Sequence, residues 1–568
     1  MKVGQWRTGV LLQATLCLGV VTLGIGTALG GRHGPSAQAQ TSSQAEMAGQ
    51  NQAEGQGQGQ GMEETPQVTT ESASQQEQNA PAVGSGVTVS GGSSPFTPEE
   101  AKKLLFHGPT PTVDPNFAYY QGRSPESVAE ELALRGYKAV HLVITSEKNV
   151  NGALIDALHA EGIAVWGMVW AGGTYSTTGF PPQWPQWRQQ LITPAAPSGF
   201  IYLSLFNPDY RAWKKQAVAE LVKTYPIDGI ELVEAFFPNW DGLKSGVYGD
   251  IGPAAQAAFR QRYGEEPPEF IDRNSPRYYT KVPDLYQKWV QLRVDGITDF
   301  LNDLVNGVGG IRASRPGIPV ATWTLATRGP NALQKSREDL GEDTAAIVTK
   351  VRPDIHFFQT NWPDWIRATL PPTYVRSYAP FVAELRRVAP DLPIGVQADI
   401  GSAETARRGW EWIEQFEKAA WETGFSTYTL YEYFIGEYMY TEKPRIMKTS
   451  RGAEGWIILS FNKRVDADSG ADTSHYRVLV LSTTDAMNGA AGGDAGPAAG
   501  ELEVTQAFVD GNRVLLHLTG PEELVNGRLQ VHAEGVQDAA SLRLLPNYPA
   551  LTMEPQDVTV EAQSPVAR

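Results

Sequence analysis

Carboxylates raise the first chemical question in this sequence. In "PIDGIELVEAFFPNWDG", Pro226–Gly242, Glu231 and Glu234 interrupt an apolar run of strand character, and aromatics follow. "VQADIGSAE" brings Asp399 to the end of a second such run, and "LYEYFIGEY" brings Glu432 to the end of a third. Carboxylates gathered in one cleft are the apparatus of glycosidic bond hydrolysis. One, neutral, protonates the leaving oxygen; the other, ionised, stabilises or attacks the oxocarbenium-like centre or activates water. The neutral member needs a raised pKa, which a desolvating surround such as "AFFPNW" supplies. Glu231 and Glu234 are three positions apart, so strict alternation sends them to opposite faces of a strand. Glu234 stands nearer the strand end and is the candidate acid; an inward Glu231 needs a buried partner. Each carboxylate also has a plainer role: a salt bridge for Glu231 or Glu234, a helix cap for Asp399, a hydrogen-bonded structural group for Glu432. Asp228 and Gly229 open the strand and read as structural.

Aromatic residues accompany the acids. Trp170, Tyr175, Trp184, Trp187, Trp240, Trp323, Trp362 and Trp365 fall at or just beyond strand ends. Their rings suit the C–H faces of sugars, though core packing explains any single tryptophan equally well. Gln359, Asn361 and Gln397 are candidates to read hydroxyls. The substrate-binding set is therefore Trp170, Tyr175, Trp240, Trp323, Gln359, Asn361, Trp362 and Gln397. Other chemistries lack their motifs: there is no GxSxG elbow in this region, and no phosphate loop or HExxH anywhere. His141 reads as a satisfied core histidine, and His356 opens a strand far from the acids. Cys17 is the one cysteine and lies near the N-terminus, so thiolate catalysis and cysteine-held zinc are not expected. No metal and no cofactor is expected.

The elements that must position these groups follow a regular alternation. Strand patterns at 116–122, 139–145, 163–170, 229–237, 319–326, 355–361, 394–400 and 426–433 alternate with amphipathic segments. Several of those segments start at Ser, Asn or Asp and some end at Gly, as helix punctuation predicts. Eight such repeats predict an α/β chain folded as a (β/α)8 barrel over 103–440, with functional residues at the C-terminal ends of strands. Long connections follow the third strand, Ala171–Asn207, and the fourth, where "GPAAQAAFRQRYGEEPPEF" precedes a long helix. Both fall on the face where substrate binds.

The flanks differ in character. Lys2 and Arg7 border the apolar run "VLLQATLCLGVVTLGIGTALG", and "SAQAQ" offers a cleavage site after Ala39, so 1–39 is a signal peptide or a membrane anchor. Residues 40–95, with "AEGQGQGQG", form a Gln/Gly/Ser-rich linker too polar to build a core. After 443 the helical pattern stops, and short alternating runs to 545 predict a small all-β sandwich; 546–568 reads as a loose tail. The formal charge of −16 argues against nucleic acid, whose partners need basic faces.

Two resemblances add to this. "FNPDYRAWKKQAVAELVKTYPIDGIELVEAFFP" resembles the strand 3 to strand 4 region of bacterial glycosyl hydrolase-like TIM-barrel families, and "AAFRQRYGEEPPEF" resembles their "F…YG…P" insertion. In many of those relatives the acid falls five residues after the Asp of DGI. Here that position is Val233, and Glu234 comes one later. The wider retaining-glycosidase clan has its acid/base on strand 4 and its nucleophile on strand 7, which implies Glu234 and Asp399, with Glu432 and Glu231 in reserve. "ILSFNKRVDADSGADTSHYRV" and its sequel resemble bacterial Ig-like accessory domains. The expectation is a secreted or envelope-tethered glycoside hydrolase acting on carbohydrate. The alternative is a non-catalytic barrel that binds envelope polysaccharide as a structural module.

Overall fold

A computed structural model describes residues 94–106, 108–194, 199–238, 243, 246–365, 367–481 and 498–563. The segment 1–39, nearly all of the 40–95 linker and most of the Gly/Ala-rich stretch before Ala498 lie outside the described residues. Among those described, no helix is long and apolar enough to cross a membrane.

Eight parallel strands close into a barrel, as a (β/α)8 fold requires. In chain order the strands are β1 (Thr110–Val113), β2 (Ala139–Ile144) and β3 (Ala164–Trp170), then the small hairpin β4 (Gly173–Thr174) and β5 (Ile201–Tyr202) outside the barrel. They continue as β6 (Gly229–Val233), β7 (Val320–Ala326), β8 (Ile355–Thr360), β9 (Ile394–Asp399) and β10 (Thr427–Tyr431). Around the barrel the order is β1-β10-β9-β8-β7-β6-β3-β2. Helices cover one face of these strands and side chains fill the other, so nearly every strand residue is buried and the strands read as continuous apolar runs. Trp166, Met168, Trp323 and Phe357 occupy the barrel interior. The helices start as their caps predict: Ser124, Asn151 and Asn207 each accept amides of the first turn.

The first strand is the one barrel strand misplaced by the sequence pattern. Residues 116–122 are a turn-rich loop, and the strand is Thr110–Val113. Pro111 and Pro115 disguise it, since proline is rare in central strands. The aromatics of the loop are covered instead by packing: Tyr119, buried, stacks on Phe434 at 5.1 Å, and Phe117, partly buried, meets Phe434 at 4.9 Å.

A second unit follows. Strands β11 (Ile446–Arg451), β12 (Trp456–Phe461), β13 (Tyr476–Leu481), β14 (Ala498–Asp510), β15 (Arg513–Thr519), β16 (Leu529–Ala533) and β17 (Gln556–Val560) form one antiparallel sheet in the order β11-β12-β15-β14-β13-β16-β17. The long β14 pairs with β13 through its first part and with β15 through its second, so one strand serves two layers around a common core. The two edges meet where the Gln556 side chain exchanges both hydrogen bonds with the Ile446 backbone. Residues 556–560, placed by the sequence pattern in a loose tail, are thus an edge strand paired with β16. Their alternation is too short to announce itself.

Candidate active site

Strand β6 carries two carboxylates to two depths. Glu231 points into the barrel and is fully buried. His141 Nδ1 lies 2.6 Å from Glu231 Oε1, Trp323 Nε1 donates to Oε2 at 3.1 Å, and Thr110 Oγ1 meets His141 Nε2 at 2.9 Å. Both oxygens are occupied beneath a closed layer of rings. Glu231, expected as a reserve catalytic group, is therefore a core carboxylate, and His141 is its partner.

Glu234 lies just past the end of β6. Alternation alone would turn it outward, away from Glu231. Its backbone instead adopts the left-handed conformation, φ 53°, a state that costs a non-glycine residue ~1–3 kcal/mol and clusters at functional sites. The departure re-aims the side chain: Gln359 Nε2, from β8, donates to Glu234 Oε1 at 3.3 Å. The turn is held by β3, whose continuation donates from Ala171 N to Val233 O (2.8 Å) and from Gly172 N to Glu234 O (3.1 Å). Position 172 must be glycine for this approach, since a Cβ there would come 2.6 Å from Glu234 O. Burial raises the Glu234 carboxyl to about 7, against the lowering effect of the Gln359 bond.

Asp399 closes β9. It alternates with Gln397 and Gly395 on the inner side, while Val396 and Ala398 pack outward into the helical layer. Its Oδ1 accepts the amides of Gly401 and Ser402, each at 3.1 Å, and the Ser402 hydroxyl bonds Oδ2. Burial raises this carboxyl to about 6, opposed by the Ser402 and Gly401 bonds and by Arg408. Gln359 and Gln397 face each other across the β8–β9 register, so one amide lies on the wall between the acids and the other beneath Asp399. Both carboxylates belong to the C-terminal mouth of the barrel.

Glu432 follows β10 at the same end of the barrel, but its oxygens are already used. It is fully buried, and its oxygens accept the Tyr120 hydroxyl (2.6 Å), the Asp114 amide (2.8 Å) and the Phe434 amide (3.3 Å). Burial pushes its carboxyl up to about 8. It ties the ends of β1 and β10 together and leaves no oxygen for substrate.

Of the expected sugar-binding residues, Trp170 ends β3 and meets Tyr175 edge-on at 5.2 Å, and Tyr175 meets Phe200 at 4.9 Å. Gln359, Asn361 and Trp362 are partly exposed at the end of β8, and Gln397 is buried beneath Asp399. Trp240 lies outside the described residues. Trp323 is corrected: it sits inside the barrel, stacked on Phe357 at 4.6 Å and bonded to Glu231. Hydropathy cannot separate a rim indole from a core one. Trp187 and Trp365 are core rings as well.

Two acids escaped the sequence pattern. Asp114 follows β1 on the side of Thr110 and Thr112, and its Oδ1 accepts the amide and the side chain of Asn116 at 3.0 and 2.7 Å. Asn116 Nδ2 also reaches Thr145 Oγ1, just beyond β2, at 3.3 Å. With the first strand set at 116–122, Asp114 fell before a strand rather than at its end; the tell-tale was "TVDP" itself. Glu342 is buried, accepts the Leu325 amide at 3.0 Å, and is raised well above the usual carboxylate range by burial and then by the Glu234 charge. Its "GEDT" context reads only as a helix start. Asp114, Glu234 and Asp399 thus reach the mouth from β1, β6 and β9. Among the described residues no group of three or more His, Cys, Asp or Glu could hold a metal ion.

No family model and no curated protein matches the chain. Similar solved structures include the PgaB (BpsB) glycoside hydrolase domain from Bordetella bronchiseptica, 16% identical over 57% of this chain and 93% of that one, TM-score 0.45. Another is a β-galactosidase from the psychrophilic Marinomonas ef1, 12% identical over 57% of this chain and 54% of the other, TM-score 0.41. A third is the glycoside hydrolase domain of PelA from Pseudomonas aeruginosa, 13% identical over 57% and 95%, TM-score 0.31. Scores of this size leave the functional reading to the side chains.

Proposed function

We propose that this chain is a glycoside hydrolase acting on a poly- or oligosaccharide outside the cytoplasmic membrane. The observation that carries the reading is the pair Glu234 and Asp399: two desolvated carboxyls on the inner side of one barrel mouth, with raised and unequal pKa values and the Gln359 amide on the wall between them. Between pH 6 and 7 Glu234 is mostly protonated while Asp399 is mostly ionised. Glu234 gives its proton to the leaving glycosidic oxygen as the C–O bond breaks. The Asp399 carboxylate meets the positive charge at the sugar carbon, either bonding to it or drawing a proton from the water that does. The amides of Gln359 and Gln397 suit sugar hydroxyls, and Trp170 with Tyr175 offers an aromatic wall. The extracytoplasmic location rests on the charged, apolar N-terminal segment and its small-residue cleavage site. The accessory role of the C-terminal sheet, including its Ig-like character, rests on its sequence resemblance. The test is a reducing-end assay on carboxymethyl-cellulose, xylan, galactomannan and chitosan, with Glu234→Gln as the control. Hydrolysis by the wild type that the variant loses is the expected result; equal release by both removes the reading.

A further inference from the structure

The loop after β1 is gripped from both sides. On one side, Arg464 of the C-terminal sheet domain donates from Nη1 to the carbonyls of Ala118 (3.3 Å), Tyr119 (2.6 Å) and Gln121 (2.7 Å), and from Nη2 to Gly122 (3.3 Å). Its own amide donates to the Tyr119 hydroxyl at 3.1 Å. Gly122 takes the left-handed conformation, φ 63°, which sets this carbonyl toward the guanidinium and which glycine adopts at least cost. Two residues on, the Ser124 amide donates to Asp510 at 2.7 Å. On the other side, the same loop joins the barrel mouth through Tyr120 on Glu432, Asp114 N on Glu432 and Asn116 on Thr145. One guanidinium from the second domain thus satisfies four carbonyls of the segment that carries Asp114 and Asn116. Four charge-assisted bonds from one half-buried side chain exceed what holding two domains together requires, because the interface has other pairs: Lys448 with Glu130 and Arg513 with Glu130.

We propose that Arg464 is a positioning residue of the substrate site: by fixing the backbone of 118–122 it holds Asp114 and Asn116 at the mouth, where they take the hydroxyls of a bound sugar. The second domain is then part of the binding site. This rests on the glycosidase reading, and it predicts an effect on binding more than on bond cleavage, since neither Glu234 nor Asp399 touches the loop.

The test uses the full chain as wild type, Arg464→Ala, Arg464→Lys and Lys448→Ala. Hydrogen exchange in 116–122 is measured without ligand, and kinetics are measured on whichever of the four polysaccharides above is cleaved. Arg464→Ala is expected to speed exchange in the loop by about tenfold or more, as loss of bonds to a charged group implies. KM should rise by about tenfold with kcat within about twofold, the signature of lost binding shared by ground and transition states. Arg464→Lys should restore part of both, and Lys448→Ala, which removes an ammonium bonded to Glu130 on the following helix, should change neither. Unchanged exchange, faster exchange with unchanged KM, or an equal KM rise in Lys448→Ala overturns the proposal. Failure of the glycosidase reading looks different: Glu234→Gln would keep full turnover while the exchange contrast between Arg464→Ala and wild type persisted.

Discussion

Gln359 Nε2 donates to Glu234 Oε1 at 3.3 Å, reaching past β7 from β8 to the end of β6. The bond favours the ionised acid and so restrains a pKa that burial drives upward. Replacing Gln359 with Leu removes that restraint. The alkaline limb of kcat/KM should move to higher pH, with the acid limb unmoved. A pH–rate profile of the variant checks this, and an unmoved alkaline limb detaches Gln359 from the acid.

The wild-type profile itself should be a bell. Its acid limb belongs to Asp399 near pH 6 and its alkaline limb to Glu234 near pH 7. Ser402→Ala removes a hydroxyl bond that lowers the Asp399 value, so the acid limb should rise and the bell should narrow.

Glu234→Gln should cut kcat by about 10²–10⁴-fold, the range for a positioned general acid. Its effect on stability has a definite sign. The native carboxyl titrates near 7 and the unfolded one near 4.5, so the native state holds the extra proton between those values. That contribution is present below 4.5 and lost as pH rises through 7. The variant does not titrate, so relative to wild type it should melt higher at pH 8 than at pH 4. Parallel melting curves of both proteins at the two pH values decide it.

The barrel was legible because burial on both faces writes a strand as an apolar run, and "GIELV" or "AVWGMVW" can hardly be anything else. Thr110–Val113 escaped because its proline and its brevity mimic a turn, and Asp114 went unseen with it. Glu234 was legible as a residue and not as a direction: its orientation follows from a backbone angle that no alternation rule contains. Trp323 shows the opposite failure, where residue type suggested a sugar platform and depth in the barrel made it core.

That correction has a consequence for mutagenesis. Trp323→Ala should destabilise the fold by about 3–5 kcal/mol through cavity formation. His141→Leu should cost a similar ~3–5 kcal/mol, because it leaves the buried Glu231 without its main partner. In both variants the protein that stays folded should keep its KM. Denaturant unfolding measures the first effect, and kinetics below the transition measure the second. A KM change without loss of stability would return Trp323 to the binding surface.

His356 gives the fold an acid weakness. Its ring nitrogens meet Thr322 Oγ1 at 2.9 Å and Thr324 Oγ1 at 3.0 Å, and burial lowers it from 6.5 to about 3. The native ring is neutral, while the unfolded ring takes a proton below about 6.5. The unfolded state therefore binds more protons between those values, and stability falls as pH drops through the window, by an amount on the order of a few kcal/mol. Glu234, Asp399 and Glu432 act with the opposite sign, so the wild-type curve alone does not isolate the histidine. His356→Gln does, because glutamine can serve both threonines and does not titrate. The Tm difference between pH 7 and pH 4.5 should be more favourable to acid in the variant than in the wild type, and equal differences would free His356 of the role.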